Sequence, residues 1–327
     1  MERLQHHWYR LTPLHLLLFP ISLIFRVLAA GRRLLYCNGI LASVKLPVPV
    51  VIIGNISVGG TGKTPLTLWL AQQLIENGWH PGIVSRGYVK KNTTPKTSRA
   101  VAIDDTADEV GDEPLLMAQR ALCPVWIGRD RPAAAQALLQ AHPECDIVLS
   151  DDGLQHYRLQ RNAEIIVVDG ARRFGNGLLL PAGPLREPLS RLQTADAIVI
   201  NGGPTFGTQF AMSLQGSRFY NLLNPEIVVS AAEFTGQRLH AVAGIGHPRR
   251  FFSYLEHLGL NAKQHAFPDH HHYIAPDIAF EDADAVLMTE KDAVKCSAFA
   301  TENCWVLRVD AQVDTALTQL ILKKVTP

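Results

Sequence analysis

A short glycine-rich segment between an apolar run and a helical pattern constrains the fold of this chain more than any other feature. The apolar run covers residues 48–53, and the helical pattern begins at Thr64. Glycines let successive backbone N–H groups turn toward an anion, and the N-terminus of a helix adds partial positive charge. Strand, glycine loop and helix in this order predict a phosphate-binding loop (P-loop) that contains Ser57, Val58, Gly59, Gly60, Thr61, Gly62, Lys63 and Thr64.

Lys63 and Thr64 give this loop its expected chemistry. The Lys63 ammonium is expected to reach the β- and γ-phosphates of a nucleoside triphosphate, and the Thr64 hydroxyl is expected to ligate Mg²⁺. The loop departs from the usual pattern G-x-x-x-x-G-K-[ST] at one position, since Ser57 stands where that pattern has its first glycine. The alternative is a glycine-rich turn that binds nothing, but the flanking strand and helix patterns both favour nucleotide binding.

Short β-branched runs alternate with helical patterns from residue 48 onward. This alternation predicts an α/β fold with a mostly parallel sheet and helices on both of its faces. The predicted strands are residues 48–53, 82–85, 101–103, 125–127, 146–149, 165–168 and 197–200, and the predicted helices are residues 64–77, 113–121 and 131–140. A polar, glycine-rich stretch follows, and after it a smaller α/β unit. We therefore divide the chain into an N-terminal helical segment, a P-loop core and a C-terminal lobe, at residues 1–46, 47–203 and 204–327.

Composition excludes several classes of protein. With 47% hydrophobic and 19% charged residues, the chain of 327 residues is typical of an ordered globular protein. Its formal net charge of +1 gives no global signal of nucleic-acid binding. Its five cysteines are scattered and lack C-x-x-C spacing, which predicts a reduced cytosolic protein with neither a disulfide framework nor a zinc site.

The N-terminal segment is both apolar and basic. Residues 14–25 are nearly all apolar apart from the break at Pro20, and Arg26, Arg32 and Arg33 follow. The uninterrupted run is shorter than the ~20 residues of a spanning helix, and the segment has no clear cleavage site of a signal peptide. The pattern favours a helix that lies in the interface of an anionic bilayer. The alternatives are an amphipathic helix that packs on the protein's own core and a true membrane span.

A second apolar strand ends in two adjacent carboxylates. Residues 145–149 run into Asp151 and Asp152 within the sequence S-D-D-G-L-Q-H. A buried strand that ends in carboxylates is the Walker B arrangement, which holds Mg²⁺ directly or through water. By itself an Asp-Asp-Gly sequence is more often a turn, but the phosphate loop upstream favours a magnesium site.

Three further segments carry charged groups whose local patterns decide less. Arg186 and Glu187 lie in the loop L-L-P-A-G-P-L-R-E, which composition alone would make a solvated surface turn. Asp112, in G-D-E-P, suits a helix N-cap. In F-P-D-H-H-H-Y three adjacent histidines point in different directions, so one metal ion could not readily bind all three. One histidine that accepts a proton beside a carboxylate fits that segment better.

Taken together, these motifs resemble the tetraacyldisaccharide 4′-kinases, the lipid A 4′-kinases of Gram-negative bacteria. The matching stretches span residues 48–295, and the N-terminal segment is similar in character. A serine at the position of Ser57 is normal in this family. The motifs that carry the resemblance are G-N-I-S-V-G-G-T-G-K-T-P, S-R-G-Y, G-D-E-P, S-D-D-G-L-Q-H, L-L-P-A-G-P-L-R-E, G-I-G-H-P-R-R-F-F, F-P-D-H-H-H-Y and T-E-K-D-A-V-K.

The resemblance implies an activity and a role for each matching residue. The activity is transfer of the γ-phosphoryl group of ATP to the 4′-hydroxyl of a tetraacylated glucosamine disaccharide 1-phosphate, a step of lipid A biosynthesis that gives lipid IVA. Asp112 and His270 would form the catalytic pair, although His271 and His272 leave open which imidazole acts. Lys63 would contact the phosphates. Mg²⁺ would be held by Thr64, Asp151, Asp152 and Glu187, and the cleft would be lined by Gln155, His156 and Arg186.

A lipid substrate would also account for the N-terminal segment, because burial of acyl chains in the bilayer is worth ~0.8 kcal/mol per CH₂. The expected partners are this lipid and the anionic surface of the inner membrane at its cytoplasmic face, where the protein would be peripheral or anchored in the interface. Neither nucleic acid nor an obligate protein partner is expected. Two alternatives remain: an ATP-dependent ligase related to dethiobiotin synthetase, and a nucleotide switch like the partitioning ATPases, which carry Lys where Ser57 stands.

Overall fold

The chain forms two β-sheets, preceded by a long N-terminal helix. This is a computed structural model, and it describes residues 7–9, 12–87 and 97–326. The larger sheet has nine strands and the smaller sheet has six. The two sheets with their helices confirm the α/β fold predicted from the sequence, including its smaller C-terminal unit and its N-terminal apolar helix.

The strands and helices are numbered here in chain order. The strands are β1 (Val50–Gly54), β2 (Pro81–Ser85), β3 (Arg99–Ala100), β4 (Val125–Ile127), β5 (Ile147–Asp151), β6 (Ala163–Asp169), β7 (Ala197–Asn201), β8 (Phe210–Gln215), β9 (Arg218–Asn221), β10 (Val228–Ser230), β11 (Leu239–Ala243), β12 (Ala262–Ala266), β13 (Ala285–Thr289), β14 (Cys304–Leu307) and β15 (Asp310–Val313). The α-helices are α1 (Leu14–Cys37), α2 (Lys63–Glu76), α3 (Ala107–Val110), α4 (Asp112–Arg120), α5 (Arg131–Ala141), α6 (Pro248–His257), α7 (Glu290–Cys296) and α8 (Ala316–Val325).

The larger sheet is parallel through its centre. Its strand order is β15-β8-β7-β6-β1-β5-β2-β4-β3. The edge strands β15 and β3 pair antiparallel with β8 and β4, and the pairs between them are parallel. Because the carboxyl ends of parallel strands meet at one edge of a sheet, the loops after β1, β5 and β7 lie side by side.

Alternate residues of β1 face two separate cores. Val51 and Ile53 pack in the core that α2 and α8 cover, whereas Val50 and Ile52 pack in the core that α5 covers. All five residues of this strand are buried. A strand covered on both faces is apolar throughout, which explains why the sequence shows an apolar run here rather than an alternation.

The smaller sheet is also mostly parallel, in the order β10-β9-β14-β13-β11-β12. Its strands β12, β11, β13 and β14 pair parallel, and β9 and β10 add an antiparallel ribbon. One face packs around Phe219 and Phe252, and the other packs around Val242 and Tyr273. We call residues 218–307, which form this sheet and its helices, the small lobe, and the larger sheet with its helices the large lobe.

The chain returns to the large lobe after it has built the small one. β8, β15 and α8 all follow residue 203, yet β8 and β15 extend the larger sheet and α8 packs on its core. The large lobe is therefore built from segments on both sides of the boundary predicted at residue 203. Strands β8 and β15 and helix α8, from the later part of the chain, complete its sheet and its core. The division of the chain at residue 203 stays a prediction.

Helix α1 exposes its apolar residues and buries polar ones. It runs without interruption through Pro20 for 24 residues, and its buried residues are His15 and Ser22. By contrast, Leu16 is 81% exposed and Leu17 is 74% exposed. The sequence predicts an apolar helix whose uninterrupted run is too short to span a membrane, whereas the described residues contain one helix that is long and apolar enough to do so by length and composition alone.

Candidate active site

The glycine loop connects β1 to α2 at the carboxyl edge of the larger sheet. Gly62, which directly precedes α2, has a φ of 93°, a left-handed conformation that suits glycine. No side chain among the described residues caps the N-terminus of α2. Its first N–H groups are therefore available to an anion, which the positive end of the helix dipole also favours.

Two side chains hold the loop backbone from one side. Asn201, at the end of β7, donates from Nδ2 to the carbonyl of Thr61 at 2.9 Å, and Arg172 donates to the carbonyl of Gly60. Arg250 of the small lobe donates in turn to Oδ1 of Asn201 at 2.7 Å. Because a trans peptide places its N–H opposite its C=O, these bonds direct the following N–H groups away from Asn201 and Arg172. The loop amides are thus oriented by groups from both lobes.

Lys63 and Arg186 converge on one carboxylate oxygen. Nζ of Lys63 and Nη1 of Arg186 each lie 3.5 Å from Oδ1 of Asp152. Burial alone would raise the pKa of Asp152, but Lys63, Arg186 and Arg131 outweigh it and lower the pKa to about 2. The first residue of α2 is therefore paired with an ionised carboxylate that follows β5.

Asp151, the last residue of β5, is completely buried. Its Oδ1 accepts a hydrogen bond from Thr67 at 3.1 Å, whereas its Oδ2 has no hydrogen-bond partner among the described residues. Burial raises the pKa of Asp151 to about 7. Burial of a carboxylate oxygen without a partner costs stability. Such an oxygen is a suitable ligand for a hard cation.

The turn after β5 is strained and is supported from below. Asp152 has a φ of 49°, which non-glycine residues rarely adopt. The fully buried Arg131 donates to the carbonyl of Asp151 and to that of Gly128, each at 3.0 Å. Strained backbone of this kind clusters at functional sites, where the surrounding structure maintains it.

The loop that carries Arg186 and Glu187 pairs with the start of the glycine loop. The N–H of Arg186 donates to the carbonyl of Ile56 at 2.7 Å, and the N–H of Val58 donates to the carbonyl of Pro184 at 2.9 Å. These two backbone bonds fix Arg186 against the phosphate loop, so it is not the solvated turn residue that composition alone suggests.

Glu187 forms hydrogen bonds and an ion pair with neighbouring side chains. Its carboxylate accepts hydrogen bonds from Gln155, at 2.8 Å, and from Tyr157, and it lies 3.3 Å from Nε of Arg191. Within residues 7–9, 12–87 and 97–326, no group of three or more His, Cys, Asp or Glu side chains is arranged to hold a metal ion. A metal role for Glu187 therefore stays a prediction, and the observed geometry makes it a support for Gln155.

The imidazole of His156, in the loop after β5, is held neutral. Burial lowers the pKa of its imidazole to about 4, and the charges of Arg131 and Arg86 act in the same direction. A neutral imidazole with arginines around it can donate or accept a hydrogen bond without adding positive charge.

Asp112 and His270 meet across the two lobes. Nδ1 of His270 lies 3.0 Å from Oδ2 of Asp112, the first residue of α4. The hydrogen bond with Asp112 raises the pKa of His270, against the opposing effects of burial and of Lys291. Burial alone would raise the pKa of Asp112, but His270 and Lys291 hold it well below its usual range. His270 has a φ of 59°, so this residue is strained as well.

The other two histidines of the cluster have different partners. Nε2 of His271 lies 2.9 Å from Asp277, and Nδ1 of His272 lies 3.5 Å from Asp108. Of the three imidazoles, the structure therefore places that of His270 on Asp112.

A close contact at Gly246 lies between the phosphate loop and Asp269, the residue before His270. A Cβ added to Gly246 would come within 2.8 Å of the backbone nitrogen of Gly60 and within 3.3 Å of Oδ2 of Asp269. The cleft between the lobes is lined by the residues of the loop from Gly60 to Thr64 and also by Glu113 and Lys291. The Asp112–His270 pair adjoins this cleft through Lys291, which lines it and lies 3.8 Å from Oδ2 of Asp112.

Sequence reasoning missed several residues of this site. Asn201, Arg172 and Arg131 orient backbone groups, and such single polar residues leave no spacing pattern. Arg250 lies in G-I-G-H-P-R-R-F-F, which carried the resemblance without indicating a role. Lys291 lies in T-E-K-D-A-V-K, which contributed to the resemblance without indicating a role. The only signal for Lys291 in the sequence was its place, as a basic residue, in a motif that resembles the family's.

Comparison with known proteins decides the family. The family model described as "LpxK: Tetraacyldisaccharide-1-P 4′-kinase" matches residues 14–326. The chain belongs to this kinase family. Relatives named tetraacyldisaccharide 4′-kinase include one from Methylobacillus flagellatus, 51% identical over 99% of this kinase and 96% of the relative. Another, from Azoarcus sp. strain BH72, is 48% identical over 97% of this kinase and 94% of the relative.

A solved structure supports the fold of this kinase over nearly its whole length. LpxK from Aquifex aeolicus, described as an "apo" form in complex with ATP, matches with a TM-score of 0.80 at 30% sequence identity. The match covers 96% of this kinase and all of the other chain. The prediction of a kinase of this family is confirmed, which leaves the ligase and switch alternatives without support.

Proposed function

We propose that the kinase transfers the γ-phosphoryl group of ATP to the 4′-hydroxyl of a tetraacylated glucosamine disaccharide 1-phosphate, giving lipid IVA. The observation that carries this proposal is the Asp112–His270 pair, at 3.0 Å, beside the cleft that Lys63 and the phosphate loop line. Lys63 and Lys291 both line this cleft, and Lys291 lies 3.8 Å from Asp112, so a base for a hydroxyl proton would lie next to a cradle for phosphates, as phosphoryl transfer to an alcohol requires.

The phosphate loop, residues 57–64, is proposed to hold the triphosphate of ATP. Its N–H groups and the N-terminus of α2 would contact the phosphate oxygens, and Lys63 would leave Asp152 to neutralise charge on the β- and γ-phosphates. Support comes from the loop geometry and from the ATP complex of the Aquifex aeolicus relative.

Asp151, Asp152 and Thr64 are proposed to hold Mg²⁺. The donor set is all oxygen, which Mg²⁺ prefers, and the unpartnered buried oxygen of Asp151 fits a cation. A bound Mg²⁺ would neutralise charge on the phosphates. Glu187 would act on this site through the loop that it shares with Arg186.

His270 is proposed as the proton acceptor, with Asp112 as its orienting partner. Asp112 on Nδ1 fixes the tautomer in which Nε2 is the acceptor nitrogen, and we assign Nε2, which lies 3.9 Å from Asp269, to take the proton of the 4′-hydroxyl. Arg186, Gln155 and His156 lie on the rim formed by the loop after β5 and the loop before residue 188, and we assign them to contacts with phosphate or sugar.

The exposed apolar surface of α1 is proposed to insert into the membrane that contains the substrate. Leu16, Leu17 and Val27 point away from the protein, and Arg26 and Arg32 supply positive charge. Apolar and basic residues on one helix suit an anionic bilayer interface, here the cytoplasmic face of the inner membrane. The helix is also long enough to span, so its depth is part of the proposal's test.

The decisive experiment follows ³²P from the γ-position of Mg-ATP to purified tetraacyldisaccharide 1-phosphate in mixed micelles. Labelled lipid is expected with the wild-type protein, and much less with His270→Ala. A His271→Ala variant serves as the matched control, because that imidazole pairs with Asp277 instead. Wild-type protein that binds ATP without labelling the lipid would overturn the proposal.

A further inference from the structure

Lys291 is an ammonium group surrounded by carboxylates from both lobes. Its Nζ lies 3.0 Å from Glu113, 3.3 Å from Asp269 and 3.8 Å from Oδ2 of Asp112. Its side chain is only 17% exposed. Burial disfavours the charged ammonium, but the three carboxylates outweigh burial and raise the pKa of Lys291, so the group stays protonated.

Lys291 and His270 contact the same carboxylate oxygen of Asp112. Oδ2 of Asp112 is the atom that faces both Nδ1 of His270 and Nζ of Lys291. The carboxylate therefore lies between a permanent cation and an imidazole that must be neutral to accept a proton.

We propose that Lys291 is a positioning residue for the phosphoryl transfer: it keeps Asp112 ionised and aligned on Nδ1 of His270, and it disfavours protonation of His270 before the substrate binds. This inference rests on the proposed roles of Asp112 and His270. In the transfer, the O–H bond of the acceptor breaks and its proton moves to Nε2 of His270. The acceptor oxygen forms the new bond to the γ-phosphorus, and the bond from that phosphorus to the leaving oxygen of ADP breaks.

The charges around His270 explain why a cation is needed there. Asp112 faces it from α4 at 3.0 Å, and Asp269 of its own loop lies 3.9 Å from its Nε2. Against these two carboxylates stands Lys291 of α7, which contacts both of them. The other charged groups nearby are paired elsewhere: Glu113 with Lys291, Asp108 of α3 with His272, and Lys295 with Asp292. Without Lys291 the two carboxylates would stabilise the imidazolium, and the pKa of His270 would rise further.

A merely structural role for Lys291, as a tie between the lobes, makes a different prediction. Arg120 already provides such a tie, because it extends from α4 to Glu290 of α7 at 2.9 Å. It makes no contact with Asp112 or His270 among its hydrogen bonds. Arg120→Met is therefore a matched control for the loss of a contact between the lobes.

The test is the pH profile of kcat/KM for lipid phosphorylation by the full-length protein in mixed micelles. Lys291→Met is expected to move the acid limb to higher pH by about one unit, so that activity falls roughly tenfold on the acid side and recovers at alkaline pH. Lys291→Arg, which keeps the charge, should leave the limb in place. Arg120→Met should leave it in place too, whatever its effect on turnover.

Several outcomes would overturn the proposal. One is a loss of activity with Lys291→Met by the same factor at every pH, and another is an unchanged profile. If Lys291→Met fails to fold, Glu113→Gln decides, since removal of a carboxylate beside Lys291 should move the limb to lower pH, and an unmoved limb contradicts the proposal. A wild-type protein that labels no lipid contradicts the proposed function instead, so the two failures are distinguishable.

Discussion

Lys63 and Asp152 form an ion pair, 3.5 Å apart, between the first residue of α2 and the turn after β5. The same oxygen of Asp152 lies 3.5 Å from Arg186. A triphosphate would offer both cations a more highly charged partner, and the carboxylate would then be released toward a metal ion. The ion pair thus holds the loop lysine and the Walker B carboxylate next to each other before the nucleotide arrives.

Lys63→Ala is expected to reduce kcat by roughly 10²- to 10³-fold, because it removes a cation from the developing charge on the transferred phosphoryl group. Steady-state transfer of ³²P to the lipid measures the effect. Lys324→Ala is the control, since Lys324 pairs with Asp196 before β7, at the opposite edge of the sheet. Near-normal turnover of the Lys63→Ala variant would contradict the assignment of residues 57–64 as the phosphate-binding loop.

Asp112→Ala and His270→Ala should each reduce kcat by roughly 10²- to 10⁴-fold, the usual contribution of general base catalysis. The double variant should be little worse than the worse single variant, because the two side chains act as a unit. Single-turnover rates of all three variants give the comparison. Losses that multiply would instead mean that the two residues act separately.

Asp112→Asn is expected to shift the acid limb of kcat/KM to lower pH. The hydrogen bond and charge of Asp112 raise the pKa of His270 above its ordinary value of 6.5, so loss of the charge lowers it and extends the neutral form downward. Turnover should fall at the same time, since the amide no longer stabilises the imidazolium. An unmoved or raised limb would be inconsistent with His270 as the titrating base.

Asn201→Ala should weaken ATP binding roughly fivefold, because the buried amide orients the carbonyl of Thr61 and one hydrogen bond of this kind is worth about 1 kcal/mol. Equilibrium ATP binding provides the measurement. Asn224→Ala, which removes a turn residue of the small lobe, is the matched control. Equal ATP affinities of the wild type and the Asn201→Ala variant would contradict the idea that Asn201 orients the phosphate loop for ATP.

Leu17→Glu with Leu28→Glu should release the protein from vesicles that contain anionic lipid, because each leucine withdrawn from the bilayer loses about 1.5–3 kcal/mol. Cosedimentation measures binding, and ATP affinity should stay unchanged. Leu122→Glu is the control, since Leu122 is as exposed, at 76%, but lies outside α1. Undiminished cosedimentation of the double variant would refute anchoring by this surface.

The parts of the site that the sequence predicted are local. The glycine loop and the carboxylates of β5 each follow a buried strand directly, so strand, loop and functional group are read from one short segment. The central strands were predicted within a few residues for the same reason. Strand β3 was placed at residues 101–103 and lies at Arg99–Ala100, because a two-residue edge strand has almost no pattern of its own.

The parts that the sequence could not give depend on contacts between distant segments. Asp112 and His270 are 158 residues apart, and only the family resemblance linked them. Lys291 and Asn201 act through single contacts that leave no periodicity. The return of the chain to the larger sheet likewise depends on the pairing of β15 with β8, which is distant in the sequence.

Ser22 fastens helix α1 to the loop that carries Arg186. Its hydroxyl donates to the carbonyl of Leu179 at 2.9 Å and accepts from the N–H of Ala182 at 3.0 Å, in the loop that continues to Arg186. An anchor on a flexible tether would let the cleft sample many heights above the lipid, whereas this one fixes a single height. For the proposed membrane-bound kinase, the distance between the acyl chains and the hydroxyl that reaches the cleft would thus be set by the position of α1.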